Sequence, residues 1–373
     1  MKIDHLRSSV FLLLALSIAG AFAAEVAPDP ARMQQDAEAR GYAFIANRET
    51  IIANAKKEGA LRLISSMERE TAKAATAAFM KKYPFIKFQI GERTGTESAQ
   101  RLLLEIKSGR PTEWDLVQLT PEFGNEYNPY LMKFDIVRMA EQGVLRIPAP
   151  MIDPIRRNVV GFSSRFPVIS YSKNLVPPSQ IPKSWEDLLK PEFKGKKFAV
   201  DIRPQELAVL VAAWGLEKTT EFARKIAQQQ PIWIRGGSRA MTAIIAGEIP
   251  MMFGPNVHTV KRSQSKDPAG ILQYVIVEPV PLRLTEQEAI LTSAQNAHAG
   301  LLWLEWLASA EGQKLLDQFE PFASSVYVSG SAVEQELRGK KLSSLSWEQE
   351  QMAPQWEAKI VEALGFPKVE AQK

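Results

Sequence analysis

The segment IRGGSRAMTAIIAGEIPMMFGPNVHTV, residues 234–260, predicts a turn, a helix and a strand in close succession. Its glycine pair permits a tight turn, and Ser238 is a favourable N-cap because its hydroxyl can accept a free amide of the first helical turn. Apolar residues then recur at the spacing of one helical face up to Ile245. Gly247 is placed to end the helix in a left-handed conformation.

The same segment continues into a strand and a second turn. Residues 249–253 are apolar and predict a buried strand, which the turn-forming pair Gly254 and Pro255 follows. Ser238 and Asn256 are therefore expected on two loops beside a packed scaffold, where ligands are commonly bound.

Elsewhere in the chain, short apolar strands alternate with helical patterns. Ser65 and Ser66 are predicted to cap one of these helices, and Ser184 with Asp187 resembles a capping box. Such alternation predicts an α/β fold in which mostly parallel sheets are flanked by helices. The strands are predicted at residues 61–64, 86–90, 115–119, 167–171 and 198–200.

A length of 373 residues favours two such α/β units. We predict two lobes joined by extended segments near residues 168–172 and 278–281, with a ligand cleft at the carboxyl ends of their strands. The predicted boundaries are a signal peptide at 1–23, a first lobe at 24–168 and 282–345, a second lobe at 169–281, and a C-terminal helix with a tail at 346–373.

The N-terminus has the pattern of a cleaved export signal. Lys2 and Arg7 precede an apolar run, and small residues at 21 and 23 suit cleavage after Ala23. The run is shorter than the roughly 20 residues that span a bilayer. Because the chain has no cysteine, it offers no disulfide, no thiolate metal site and no site for a lipid anchor. We therefore expect a soluble, exported protein.

Charge and motifs argue against nucleic-acid binding and catalysis. The formal net charge of +4 is too small to indicate a nucleic-acid partner. No phosphate-binding loop, H-E-x-x-H motif or dinucleotide fingerprint is present. We expect a binding protein without a cofactor or a resident metal. A secreted α/β hydrolase stays open as an alternative, with Ser238 as nucleophile and His258 or His298 as its base, although Ala240 replaces the last glycine of G-x-S-x-G.

A binding protein needs polar groups that converge on a cleft. Helix starts rich in free amides favour an anionic ligand, and arginines near these turns could add bidentate contacts. We therefore predict a small anion as the solute. The candidate ligand-binding residues are Ser65, Ser66, Thr94, Gly95, Thr120, Tyr171, Arg203, Gly237, Ser238, Arg239 and Asn256.

Several motifs between residues 53 and 319 resemble those of the periplasmic solute-binding proteins of ABC importers. The branch is the ferric-iron-like one, also described as extracellular solute-binding protein family 1. The motifs are KEG at 57–59, RTG at 93–95, PVISY at 167–171, PKSWEDL at 182–188, PEFKG at 191–195, AGE at 246–248 and LASAEGQKL at 307–315.

The resemblance implies a type II periplasmic-binding fold, in which two hinged lobes close over a solute and present it to a membrane permease. It also implies a periplasmic protein, which we expect to be a monomer. A sensory protein that uses the same fold to signal to a receptor is a further alternative.

One departure from the family bears on the solute. Iron-binding members usually have paired tyrosines just after the strand that corresponds to residues 249–253, whereas this chain has FGPN there and no tyrosine until Tyr274. Ferric iron prefers hard, anionic oxygen donors, which an asparagine does not supply. Ferric iron stays an alternative solute, with ligands drawn from Glu68, Tyr127, Tyr130 or Tyr171.

Overall fold

The computed structural model describes residues 30–93, 95–110, 112–119, 123–203 and 205–366. The predicted signal peptide, Thr94 and Thr120 lie outside these residues. Within them, no helix has the length and apolar character that crossing a membrane requires.

The α-helices of the described residues are α1 Pro30–Ala39, α2 Arg48–Glu58, α3 Arg69–Lys82, α4 Gly95–Lys107, α5 Ile136–Glu141, α6 Gln205–Val209, α7 Val211–Trp214, α8 Leu216–Gln228, α9 Gly237–Ile245, α10 Val257–Gln264, α11 Ala297–Leu307, α12 Ala310–Phe319, α13 Ala332–Leu337 and α14 Trp347–Leu364. The strands are β1 Ala60–Ser65, β2 Lys87–Glu92, β3 Leu116–Leu119, β4 Val159–Arg165, β5 Pro167–Ser172, β6 Ala199–Asp201, β7 Ile232–Ile234, β8 Met251–Asn256, β9 Leu272–Val275, β10 Val280–Ile290 and β11 Leu342–Ser344.

These strands form two sheets. The first has the order β11-β10-β3-β1-β2, and β4 also pairs with β10. Strands β1, β2 and β3 are parallel, while β10 runs antiparallel to β3 and β4. The second has the order β7-β6-β8-β5-β9, with β6 parallel to both of its neighbours and β5 antiparallel to both of its own. The predicted α/β architecture with two sheet units is confirmed.

The chain changes sheet at two short segments. Phe166 joins β4 to β5, and residues 276–279 join β9 to β10. The first change comes slightly before the predicted segment, residues 168–172, because β5 already pairs with β8 from Pro167. Phe166 is fully buried and packs edge-on against Phe322.

A third link comes from the C-terminal helix. The short strand β11 pairs with the first residues of β10, in the first sheet. The helix α14 that follows buries Trp356, Ile360 and Leu364 in the same apolar core as Phe222 and Phe253 of the second sheet unit. The end of the described chain therefore ties the two sheets together near the points where the chain crosses between them.

Local details correct three predictions. The N-cap of α9 is Gly236, with a φ of 94° that favours glycine, and Ser238 lies inside the first helical turn. Ser65 and Ser66 do not cap α3, which begins at Arg69. Asn256 is not on a loop: it ends β8 and caps α10, accepting the amide of His258 at 3.0 Å.

The strand β8 extends through residues predicted to form a turn because its register with β5 is irregular there. Pro167 pairs with Asn256 and Ile169 with Phe253, so Gly254 and Pro255 together face Val168. Such a bulge tolerates a proline, since one residue is left without a ladder hydrogen bond.

Candidate functional site

A cavity of about 260 Å³ lies where the carboxyl ends of β1 and β3 meet the middle of β10 and the start of α10. Its walls therefore come from both sheet units, because β1, β3, β4 and β10 belong to the first and α10 follows β8 of the second. The lining residues are Ser65, Ser66, Met67, Glu68, Gln118, Phe162, Ser163, Arg165, His258, Arg262, Glu286, Glu288, Leu307, Leu316, Glu320 and Ala323.

Gln118 organises the polar floor of the cavity. Its amide oxygen accepts hydrogen bonds from the hydroxyls of Ser65 and Ser66, each at 2.9 Å, and from the backbone amide of Ser66 at 2.5 Å. Its amide nitrogen donates to Glu286. The two predicted serines therefore do lie at the cavity, although they bind a side chain across the sheet instead of capping a helix.

Glu286 has an unusual backbone conformation within β10. Its φ is 52°, in the left-handed region, and it is not paired with β4, although Thr285 and Gln287 on either side pair in the same register. This conformation costs a residue with a side chain about 1–2 kcal/mol. The carboxylate also accepts a hydrogen bond from Arg165 at 3.1 Å. The irregular strand thus holds a charged pair at the cavity wall.

Glu288 lies deeper, with 2% of its surface exposed. The indole of Trp303 donates to one of its carboxyl oxygens at 2.7 Å. Burial raises the pKa of Glu288 to about 8, and the nearby charge of Glu286 shifts it in the same direction. The carboxyl group is therefore mostly protonated at neutral pH.

The opposite wall is formed by α10. The ring nitrogen Nδ1 of His258 lies 2.8 Å from the carbonyl oxygen of Pro321, and burial together with the charge of Arg165 lowers the pKa of this histidine. Arg262 donates to Glu68 at 3.0 Å and so connects α10 with the segment after β1. Both side chains of this ion pair are half-exposed, so its contribution to stability is at most about 1 kcal/mol.

A second set of predicted residues is grouped elsewhere, at the carboxyl ends of β6 and β7. The carboxylate of Asp201 accepts the backbone amides of Gly236 and Arg203, each at 2.9 Å, and lies 3.4 Å from the Arg203 guanidinium. This internal carboxylate thus already occupies the amide-rich turn that was predicted to bind an anion. Gly237, Ser238 and Arg239 follow at the start of α9, where the two side chains are exposed.

The other predicted residues are distributed as follows. Gly95 begins α4. Tyr171 pairs with Met251, the first residue of β8, and so lies at the opposite end of β5 from the cavity. Its half-buried position raises the pKa of its phenol.

Sequence reasoning missed Gln118, Arg165, Glu286 and Glu288 as cavity residues. They lie inside strands, and candidates were sought on loops. The available signal was the run RLTEQE at 283–288, which is polar between the apolar ends of one strand. Such a polar centre indicates that the middle of a strand faces a cavity instead of the core.

The structure does not bring together the serine and histidine of the hydrolase that the sequence allowed as an alternative. His258 contacts the Pro321 carbonyl, and His298 Nδ1 lies 2.6 Å from Glu58 on another part of the molecule. Neither histidine is hydrogen-bonded to the exposed side chain of Ser238 within the described ranges.

The residues of the structure also bear on metal binding. Across the described part of the chain, no group of three or more histidine, aspartate or glutamate side chains has an arrangement that could hold a metal ion. Tyr127, one of the alternative iron ligands, is fully buried and donates its hydroxyl to the carbonyl of Ala99 at 3.4 Å.

Known proteins resemble this chain in sequence. The protein-family profile described as bacterial extracellular solute-binding protein matches residues 119–349, more than half of the chain. A curated relative, the "Fe(3+)-binding periplasmic protein" of Serratia marcescens, is 22% identical over 219 residues. That match spans 56% of this chain and 65% of the relative, slightly less than two thirds of its length.

Solved structures share the fold at low sequence identity. The ferric iron-binding protein A of Mannheimia haemolytica, in an open conformation, has a TM-score of 0.66 and 19% identity, covering 83% of this chain and 99% of its own. The Trichodesmium protein IdiA (FutA), solved with iron and citrate, has a TM-score of 0.61 and 21% identity, covering 82% and 99%. The two-sheet α/β fold and the family match together show that this chain belongs to the bacterial extracellular solute-binding proteins.

Proposed function

We propose that this protein is the periplasmic substrate-binding component of an ABC importer. It captures a small solute in the cavity between the two sheet units and delivers it to a membrane permease, acting as a monomer without a nucleic-acid partner. The observation that carries the proposal is the cavity itself, which has polar walls from both units and an ion pair, Glu68 with Arg262, across them.

The mechanism follows from this placement. The two units are joined by short segments, one of them the single residue Phe166, which suits a hinge motion. A solute that contacts β10 and α10 at once stabilises the closed state by its differential affinity for it. The volume of about 260 Å³ is slightly below the range of known ligand pockets, roughly 300–1,000 Å³, and favours a small solute.

The charges of the cavity do not favour the small anion predicted from sequence. Both lining arginines are already paired with carboxylates, Arg165 with Glu286 and Arg262 with Glu68. The amide-rich turn at Gly236 is occupied by Asp201. That the solute is a small anion remains a prediction, which binding of carboxylates or phosphate would support.

Ferric iron is the second candidate. It is favoured by the relatives, whose names or descriptions record iron binding, whereas the carboxylates of the cavity form no cluster of three or more that could hold a metal ion among the described residues. No tyrosine is among the described residues that line it. The described residues of the cavity therefore supply neither a tyrosine pair nor a carboxylate cluster for ferric iron, which would have to arrive as a complex with a ligand from solution.

A solute screen tests the proposed function. Thermal unfolding is followed with panels of small amines, carboxylates, phosphate and ferric citrate, because a ligand of the folded state raises the melting temperature. We expect at least one compound to raise the melting temperature. Ser66→Trp, whose side chain would fill the cavity, should weaken the binding of that compound. The matched control is a tryptophan at exposed Ser108. Binding that is unaffected by Ser66→Trp would contradict this location.

The permease partner has its own test. The protein loaded with the identified solute should stimulate ATP hydrolysis by a reconstituted permease–ATPase complex of an ABC importer from the same organism. Stimulation of a receptor instead would support the sensory alternative.

A further inference from the structure

An unpaired polar group in the cavity wall indicates which class of solute binds there. Ser163 in β4 is 1% exposed and lines the cavity, and among the described residues its hydroxyl has no hydrogen-bond partner. A buried hydroxyl without a partner costs about 1–3 kcal/mol. A ligand that hydrogen-bonds to Ser163 would remove this cost.

Glu288 is a second buried group of the cavity wall that has few polar partners. It lines the same cavity, is 2% exposed, and receives one hydrogen bond, from Trp303. In contrast to Glu286, it has no arginine or lysine partner in the described part of the structure. Any positively charged group that enters the cavity therefore meets a buried carboxyl group that has no basic partner among the described residues.

The titratable groups around Glu288 set the charge that a solute meets. Among the described residues, three carboxylates besides the protonated Glu288 line the cavity against two guanidinium groups, and the histidine is held towards its neutral form. These groups are Glu286 on the same strand, Arg165 on β4, His258 and Arg262 on α10, Glu68 after β1, and Glu320 after α12. The balance is negative, which favours a cationic solute over an anionic one.

We propose that the solute carries a protonated primary amine or a guanidinium group that donates N–H hydrogen bonds to Glu288, and that a further polar group of the same solute hydrogen-bonds to the hydroxyl of Ser163. This inference rests on the proposed function and specifies its solute. When the cation binds, the carboxylate form of Glu288 is favoured, so its O–H proton leaves to solvent while the solute keeps its own charge. Binding therefore releases a proton, and affinity rises with pH towards the pKa of Glu288.

The test uses the full mature chain and a panel of four probes: ethanolamine, 1,4-diaminobutane, agmatine and arginine. Titration calorimetry in two buffers with different ionisation enthalpies measures the affinity and the proton released. We expect at least one probe to bind with proton release below the pKa of Glu288. Glu288→Gln, which keeps the shape of the protonated acid and its bond to Trp303, should weaken that probe by roughly tenfold or more and abolish the proton release.

Two control variants distinguish binding of the cation at Glu288 from a general effect of the protein's charge. Glu221→Gln makes the same substitution at an exposed position of α8 and should leave affinity unchanged. Ser163→Ala should weaken the amine several-fold while leaving proton release intact. Infrared difference spectra should show the protonated acid of Glu288 in the free protein and its loss on binding.

The outcomes are distinct. If ferric citrate or an anion binds in the cavity and no amine does, the cationic solute is overturned while the proposed function stands. If an amine binds equally well to Glu288→Gln, this site assignment is wrong. If no probe of any class in either panel binds, the cationic solute and the proposed function both fail.

Discussion

At the scale of single residues, side-chain chemistry in this protein is decided by neighbours that are distant in sequence. Ser65 and Ser66 were predicted at a ligand site and do lie at the cavity, but they hydrogen-bond to Gln118, which belongs to another strand. Ser238 was expected to cap α9, yet Gly236 does so. The sequence indicates which residues follow a strand, but it does not say whether an internal carboxylate such as Asp201 already occupies the turn.

Gly312 gives a prediction at this scale. A methyl group at this position would clash with the carbonyl oxygen of Trp306 and would lie 2.9 Å from the backbone of Leu307. Because backbone cannot move aside as a flexible side chain can, Gly312→Ala should lower the free energy of unfolding by about 2 kcal/mol. Gly124→Ala is the control, since its nearest neighbour would be 3.9 Å away. Equal stability of the two variants in urea denaturation would contradict this packing.

Glu288 gives a second prediction, on pH dependence. Its pKa in the folded protein is about 8, above the ordinary 4.5, so between these values the folded state binds a proton that the unfolded state has lost. Stability should therefore fall as pH rises through this window, at up to about 1.4 kcal/mol per pH unit from this one group. Glu288→Gln should flatten the slope and should be the more stable protein at the upper end. Urea denaturation across the window measures both, and identical slopes would show that Glu288 is ionised.

At the scale of elements, the predicted alternation of strands and helices is largely present, and the differences have local causes. The sequence of residues 296–319 has the pattern of one long helix, but the structure has two helices there, because Ser309 caps α12 by accepting the amide of Gly312 at 3.3 Å. The eleven-residue strand β10 was not foreseen, since its polar centre faces a cavity and breaks the apolar alternation. The capping box at Ser184 and Asp187 was predicted and is present.

The C-terminal helix gives a prediction at this scale. Ile360 is fully buried where α14 packs with the second sheet unit, whereas its neighbour Val361 is 36% exposed. Ile360→Ala should lower the free energy of unfolding by about 3 kcal/mol, as expected for a cavity in a core. Val361→Ala should cost less than about 0.5 kcal/mol, in the range of surface substitutions. A similar small loss for both variants would mean that α14 is not part of this core.

At the scale of the whole molecule, two sheet units and the α/β class follow from sequence, while the site does not. Strand and helix patterns are set by residues that are close together in the chain, so a single sequence is enough to recognise them. The cavity depends on which strand ends meet, and that is set by the long strand β10 and by the left-handed backbone conformation of Glu286, which no local pattern specifies. The predicted lobe boundaries remain a proposal, and α14 argues for assigning the last helix to the second unit.

The central claim is that a solute bound between the two units closes them, and a distance across the cleft tests it most directly. The chain has no cysteine, so Lys73→Cys on α3 and Arg224→Cys on α8, both at exposed positions, give two unique spin labels. Pulsed electron resonance measures the separation with and without the solute identified in the screen. We expect the distribution to shift to shorter distances and to narrow on binding. Tight binding with an unchanged distribution would contradict the claim.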